Sequence, residues 1–162
     1  YNKKTQKLNC INSFNSNGSY QNEIVAADKN YVTISNTDQP AEVGWISWNI
    51  PYKYSKGKLV ASTTSTTTVK SLIANNRKDK YSKYFAKNQF VTAKKLTFYN
   101  GSKVAYTVPK GKVVTLTKLS LSKNVIYLQF KYGKKTGWAH VNGAKYDFTK
   151  PWFQGVNARL AG

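Results

Sequence analysis

Residues 125–141 read VIYLQFKYGKKTGWAHV, and this stretch predicts a β-hairpin. Apolar and polar side chains alternate from Val125 to Tyr132, which is the period of a half-buried strand. Gly133-Lys134-Lys135 supplies a tight turn, and a second strand is expected from Thr136 to Val141. The stretch therefore predicts two antiparallel strands joined by a short connection.

Outward from this hairpin, the sequence predicts three more strands. Leu96–Tyr99 and Lys103–Val108 flank Asn100-Gly101, a dipeptide that accepts the positive φ of a type I′ turn. Pro109–Lys112 predicts another turn, and VVTLTKL from Val113 alternates again. A second Asn-Gly follows the hairpin at residues 142–143. Five short strands within about 55 residues are typical of a small β-barrel.

The first half of the chain is less regular. Strands are expected at Asn30–Ser35 and at Val43–Ile50, the second ending at Pro51, and residues 1–22 predict loop or a short strand. The Ser/Thr run at 62–68 fits either a linker or a strand, and a short helix is expected near Thr68 to Asn75. We place a module boundary here, which divides the chain into residues 1–85 and 86–162.

The charge of the chain is +20 and is distributed unevenly. Residues 1–50 carry four lysines and four acids, which cancel, whereas residues 51–162 carry twenty lysines and two arginines against Asp79 and Asp147 alone. Such a field attracts polyanions with salt-sensitive affinity. The candidate partners are nucleic acid, acidic membrane, teichoic acid and sulfated glycan.

Lysine supplies nearly all of this positive charge. The only arginines are Arg77 and Arg159. Arginine reads guanine edges with a planar fork, while lysine is a point charge that follows a flexible anionic chain. The composition therefore argues against sequence-specific DNA recognition. An AT-rich genome would also raise the lysine count, but it does not explain the scarcity of acids after Glu42.

The residues that usually carry catalysis are scarce. Cys10 and His140 lack a third partner and the local pattern of a nucleophile, so a Cys-His hydrolase is disfavoured. The six acids offer no paired carboxylates, and one His with one Cys cannot build a zinc site. We expect no enzymatic activity, no cofactor and no metal. No apolar run approaches the roughly 18 residues of a membrane span, so no transmembrane segment is expected.

Three pieces of the C-terminal part resemble a known family: TVPKGKVVTL at 107–116, YLQFKYGKKTGW at 127–138, and Gly137-Trp138 before AHVNGAKY. Together they make residues 91–145 similar to bacterial SH3-type cell-wall modules, and more narrowly to the GW modules of Gram-positive surface proteins. The resemblance implies an all-β fold of SH3-like small barrels.

A weaker second copy is visible upstream. Tyr31-Val32-Thr33-Ile34 leads to Gly44-Trp45 much as residues 127–130 lead to Gly137-Trp138, and an aromatic pair follows each, Tyr52/Tyr54 and Tyr146/Phe148. The two Gly-Trp pairs are 138 − 45 = 93 residues apart, which suits tandem modules with an insertion. The first copy lacks a counterpart of PKGKVV, and a single larger domain is the alternative.

The resemblance implies an extracellular, wall-associated protein that attaches to teichoic or lipoteichoic acid, or to sulfated glycans. The expected polyanion contacts lie in or beside turns, where lysines are also commonly just solvated: Lys94, Lys95, Lys103, Lys110, Lys112, Lys131, Lys134 and Lys135. The expected aromatic contacts are Tyr99, Tyr106, Tyr132, Trp138, Trp45 and Tyr54, with Tyr31 and Trp48 as further candidates. For Trp138 a place in the core is the competing interpretation.

Three other functions remain open at this point. The chain could be a structural surface-layer component, the peptidoglycan-targeting part of an antibacterial or lytic protein, or a nucleic-acid binder with a small barrel.

Overall fold

A computed structural model describes residues 21–61, 66–73, 79–122, 125–141 and 151–156. The described residues form antiparallel β-strands and one short helix, which confirms the all-β class. The strands are β1 Gln21–Ala27, β2 Tyr31–Asp38, β3 Ile46–Ser55, β4 Lys58–Ala61, β5 Thr66–Ser71, β6 Gln89–Val91, β7 Leu96–Asn100, β8 Lys103–Val108, β9 Val113–Ser122, β10 Val125–Tyr132 and β11 Lys135–Val141; the helix α1 is Ser82–Phe85. No helix in these ranges is long and apolar enough to cross a membrane.

The strands form one open sheet in the order β1-β2-β3-β5-β9-β10-β11-β7-β8. β4 adds to β3, and β6 adds to β9. The strand β5 joins the two halves of the chain, because it pairs with β3 on one side and with β9 on the other.

The five strands expected in the C-terminal part are confirmed as β7 to β11, and the expected strand at 30–35 is confirmed within β2. The turn between β7 and β8 differs by one residue from the prediction. Asn100 pairs with Lys103, so the central residues are Gly101 and Ser102, with Gly101 at φ +60°. A glycine of positive φ at the first central position is the pattern of a type II′ turn rather than type I′. The turn at Gly133 repeats it.

The predicted end of β3 at Pro51 is wrong, since the strand continues to Ser55. Pro51 pairs with Thr33 of β2. On its other side β5 pairs with β3 only as far as Trp48, and β4 begins its pairing at Tyr52. Pro51 therefore lies in the gap between two partner strands, where the missing N–H group is not needed.

The helix expected near Thr68 to Asn75 is wrong for Thr68 to Ser71, which belong to strand β5. Ile73 has 3₁₀ conformation, and residues 74–78 lie outside the described ranges. Val69 is fully buried and pairs with Trp48 of β3, and the Thr-rich residues before it pair with β9, as suits a strand. The α-helix of the described residues is the four-residue α1, whose Phe85 packs into the core.

The core is one apolar cluster rich in phenylalanine. Phe90 lies at its centre, with ring centroids 4.8 Å from Phe153 and 5.4 Å from Phe85. Residues on both sides of the predicted boundary at 85/86 belong to this cluster, such as Ile46 and Val69 before it and Phe98 and Leu128 after it. The boundary itself stays a prediction.

Candidate functional site

Strand register brings several lysines of the C-terminal turns to one end of the sheet. Lys131 of β10 pairs with Thr115 of β9. Lys134 lies in the turn just after β10, and Lys112 immediately precedes β9. These lysines therefore lie at the same end of the sheet.

The hairpin of β7 and β8 brings Lys103 to the end of the sheet at which β11 begins with Lys135. Tyr99 of β7 pairs with Trp138 of β11, and the Asn100 side-chain amide donates to the Thr136 carbonyl at 3.5 Å. The tip of the hairpin consequently lies beside the first residues of β11. Lys103, just after the tip, and Lys135, at the start of β11, therefore lie at the same end of their strands.

Thr92 holds the remaining lysine-bearing turn. It is fully buried, and the backbone N–H of Gly111 donates to its carbonyl at 2.9 Å. The Thr92 hydroxyl lies 2.7 Å from the Pro109 carbonyl and accepts from the Lys112 N–H at 3.0 Å. The turn that carries Lys110 and Lys112 is thus fixed against the start of the loop that carries Lys94 and Lys95.

We use the name basic end for the lysine-bearing turns of the C-terminal strands, which include both the base of the β7–β8 hairpin, where Leu96 pairs with Val108, and its tip. Its members are all exposed: Lys94, Lys95, Lys103, Lys110, Lys112, Lys131, Lys134 and Lys135. From residue 80 to residue 146 the sequence contains no Asp or Glu. The positive potentials of these side chains therefore add with no acid of their own segment to offset them.

Tyr106 is not available to a ligand, which corrects the expectation of a surface ring. It is 6% exposed, stacks on Phe98 at 4.9 Å between centroids, and donates its hydroxyl to the Phe130 carbonyl at 2.6 Å. Burial raises the pKa of Tyr106 to about 12. Tyr132 lies behind it, half-buried and packed against the core at 6.3 Å between the two ring centroids.

Tyr99 and Trp138 lie together on the opposite, outer face of the sheet. In β11 the inward position is taken by Gly137, where a Cβ atom would meet the Phe98 Cβ at 2.9 Å. Its neighbour Trp138 therefore points outward, is half-buried, and is not among the core residues of the described chain. Tyr99 pairs with it across the strands and is 41% exposed.

The aromatic candidates of the N-terminal half lie elsewhere. Trp45 precedes β3, while Tyr54 is 53% exposed and faces Leu59 in the β3–β4 hairpin. Three strands, β5, β9 and β10, separate β3 from β11 in the sheet. Trp48 is buried, at 3% exposed. The structure thus does not bring Trp45 and Tyr54, or Tyr31 of β2, together with the pair Tyr99 and Trp138.

Several outer-face residues were missed by the sequence interpretation. Tyr127 and Gln129 alternate with buried Leu128 and Phe130, so the alternation along β10 already indicated that these two residues face outward. The outward position of Lys118 could not be predicted from alternation, because a bulge at Thr117, the preceding residue, shifts the register of β9. His140 also faces outward, with its ring 6.2 Å from that of Tyr127.

The described residues contain no group of three or more His, Cys, Asp or Glu side chains that could hold a metal ion. Cys10 lies outside the described ranges. Comparison of the chain with protein-family models, curated proteins and solved structures gave no match. The functional argument therefore depends on the surface itself.

Proposed function

We propose that this chain is a non-enzymatic binding module of a bacterial cell envelope, secreted and wall-associated, which holds an anionic wall polymer at the basic end. The polymer is teichoic or lipoteichoic acid, or a sulfated glycan. The observation that carries the proposal is the presence of eight exposed lysines in or beside the turns of the C-terminal strands, in a segment without acids. Lysine ammonium groups follow a flexible polyanion without demanding one fixed geometry.

The finer fold that we propose for the C-terminal part is an SH3-like small barrel. Three features support it: the meander β9-β10-β11, the long β7–β8 hairpin, and the pairing of β6 with the first half of β9. The last described segment returns to the same place, where Phe153 bridges Thr92. The resemblance of residues 91–145 to GW modules agrees with this proposal.

A second barrel in the N-terminal half has weaker support. Gly44 lies outside a strand at φ +69°, whereas Gly137 is an inward-facing residue inside β11. The two Gly-Trp pairs therefore differ in backbone conformation, and the proposal of tandem modules rests on the sequence repeat alone.

The test is a pull-down of the chain with Gram-positive wall sacculi, before and after removal of teichoic acid, at several salt concentrations. We expect binding that weakens with salt and largely disappears with the teichoic acid, because counterion release drives the association. Binding that persists after removal of the polymer would contradict the proposal.

A matched pair of variants distinguishes the effect of lysine position on affinity from the effect of total charge. Lys134→Gln/Lys135→Gln removes two charges of the basic end, and Lys53→Gln/Lys58→Gln removes two exposed charges of β3 and β4. We expect the first variant to lose several-fold more affinity and to lower the salt slope by about one to two. Equal losses of affinity in the two variants would mean that binding depends only on the net charge of the chain.

A surface-layer component is the second candidate, and one observation favours it. Among the described strands β1 pairs only with β2, so its outer edge is open, and Ile24 is 65% exposed and Val25 48% exposed on it. Open edges of this kind promote pairing between chains. Ordered multimers in sedimentation experiments, abolished by Val25→Lys, would favour this function.

A further inference from the structure

We propose that the outer face of the C-terminal strands binds sugar rings, so that the polymer held by this chain is an anionic glycan rather than a ring-free phosphate chain. The inference rests on the proposed function, because it names the class of polymer that the basic end holds. It is carried by a row of four residues, one from each of four neighbouring strands.

We call these four residues the outer row: Tyr99 of β7, Trp138 of β11, Gln129 of β10 and Lys118 of β9. Each is the direct cross-strand partner of the next. With a strand spacing of about 4.8 Å, the row is about 14 Å long, enough for a short oligosaccharide. The outer row therefore crosses the strands as a continuous strip.

One end of the outer row is aromatic. Tyr99 is 41% exposed and Trp138 is half-buried, and neither is part of the core cluster. Side chains at paired positions on two strands have Cβ atoms about 5 Å apart, so the two aromatic side chains start from neighbouring positions. Two partly exposed aromatic side chains at such positions offer apolar surface on which the C–H faces of a sugar can stack.

The middle of the outer row is polar and held in place. The Thr117 hydroxyl lies 2.8 Å from the Gln129 side-chain oxygen and 3.1 Å from the Gln129 carbonyl, which fixes the direction of the amide. Amides and hydroxyls both donate and accept hydrogen bonds, as sugar hydroxyls require, whereas lysine only donates. Thr136 and Thr115, which pair with Lys131, add hydroxyl side chains in the next register position.

The other end of the outer row is cationic, and the strip continues into the basic end. Lys118 is exposed beside Gln129, and Lys131 lies two residues along β10 on the same face. Rings, hydrogen-bonding groups and ammonium groups thus follow one another within about 14 Å. A phosphate chain without rings would use only the last of these, while a charged glycan would use all three.

Single-stranded nucleic acid also combines rings with charge, since bases stack on aromatic side chains beside a basic groove. The outer row favours the glycan, because an amide and a neighbouring hydroxyl separate its rings from its lysine. Lysine also outnumbers arginine throughout the chain, although arginine is the residue that both stacks on bases and clamps phosphate. Nucleic acid is therefore kept as an outcome of the test.

The experiment measures the affinity of the full chain for three probes at fixed salt: heparin, long-chain inorganic polyphosphate and a single-stranded DNA oligonucleotide. Tyr99→Leu and Trp138→Leu are the test variants. Tyr31→Leu is the matched control, because Tyr31 is 39% exposed and lies on β2, near the other edge of the sheet. Circular dichroism and thermal unfolding check that each variant is folded, and Tyr99→Leu provides the test if Trp138→Leu does not fold.

We expect each test variant to lose about tenfold in heparin affinity, with polyphosphate affinity unchanged and Tyr31→Leu like the parent chain. Equal losses for heparin and polyphosphate, or no loss for either, would overturn the glycan assignment while leaving polyanion binding intact. A larger loss for DNA than for heparin would assign the outer row to bases instead. If the parent chain binds none of the probes in a salt-dependent way, the proposed function itself fails.

Discussion

Thr92 and Lys112 are joined by one backbone hydrogen bond and by hydrogen bonds of the Thr92 hydroxyl. The Thr92 N–H donates to the Lys112 carbonyl at 2.9 Å, and the Lys112 N–H donates to the Thr92 hydroxyl oxygen at 3.0 Å. The Thr92 hydroxyl oxygen lies 2.7 Å from the Pro109 carbonyl oxygen and 3.2 Å from the Lys112 carbonyl oxygen. One buried threonine therefore sets the conformation of a lysine-bearing turn.

Thr92→Val should lower the free energy of unfolding by about 2 kcal/mol, because it leaves a buried N–H and a carbonyl without their partner. It should also weaken binding of heparin or teichoic acid, since Lys110 and Lys112 lose their fixed positions. Urea unfolding and affinity measurements check both effects. Thr97→Val is the control, because the Thr97 hydroxyl bonds only at the surface, 3.2 Å from that of Thr107. If Thr97→Val lowered stability and affinity as much as Thr92→Val, the proposed role of the Thr92 hydroxyl in holding the turn would be contradicted.

Tyr106→Phe should destabilise the fold by about 1–2 kcal/mol at neutral pH, since it removes the buried hydroxyl that donates to Phe130. The ring itself is retained, so packing against Phe98 should persist. Chemical denaturation measures the change. A variant as stable as the parent would show that the hydrogen bond contributes nothing net.

The same pair of proteins tests the pH dependence. Burial raises the pKa of Tyr106 from 10.0 to about 12, so the folded state holds the phenolic proton more tightly than the unfolded state. This contribution is present below pH 10 and is lost as the pH rises through 12. The stability advantage of the parent over Tyr106→Phe should therefore shrink between pH 10 and 12. An advantage that stays constant across this window would contradict the prediction.

Gly137→Ala should destabilise the fold by about 2–3 kcal/mol, because the new methyl group would lie 2.9 Å from the Phe98 Cβ and 3.1 Å from the Ala105 Cβ. Gly133→Ala is the comparison: it has open space around it but a φ of +60°. It should cost about 1 kcal/mol through backbone strain alone. Thermal unfolding ranks the two, and the reverse order would contradict the inward placement of Gly137.

Asn88 connects β5 to the strands of the C-terminal part. Its side chain accepts from the Ser71 N–H at 2.8 Å and donates to the Val69 carbonyl at 3.0 Å, while its own carbonyl accepts from the Leu116 N–H at 2.8 Å. Its φ is +54°, a conformation that Asn tolerates better than most residues.

Asn88→Gly should cost about 1–2 kcal/mol, and Asn88→Ala about 1 kcal/mol more, because alanine adds strain at positive φ to the same lost bonds. Hydrogen exchange at Val69 and Ser71 should accelerate in both variants, which reports loosening of β5. Equal stability of the glycine and alanine variants would contradict the strain argument.

Strand positions were predictable where local pattern and turn chemistry agree, as in β7 to β11. They were not predictable where a partner strand determines whether a segment forms a strand and where that strand ends. Pro51 led to the wrong prediction of a strand end, because the sequence does not show that this residue lies between the partner strands β5 and β4. The helix expected after Thr68 was wrong for the same reason, since β5 is stabilised by β3 and β9 rather than by its own residues.

The candidate site was predictable in part. The basic end followed from the lysine-rich turns, but the separation of Tyr99 from Tyr106 did not. Tyr106 and Val108 are two residues apart on β8, and both face the core. Val104 has the same spacing from Tyr106 but faces outward, because a bulge in β8 opposite Phe98 and Tyr99 shifts the register. The face on which each β8 side chain lies therefore depends on one extra residue in that strand.

The sequence by itself determined the all-β class, the tight glycine turns and the uneven distribution of charge along the chain, because alternation, turn conformation and composition are local properties. The tertiary structure alone decided that β5 lies between β3 and β9, that Gly137 faces the core, and that Tyr99, Trp138, Gln129 and Lys118 form a row. Those features depend on the register between strands that are distant in the chain, and a single bulge changes which face each side chain occupies.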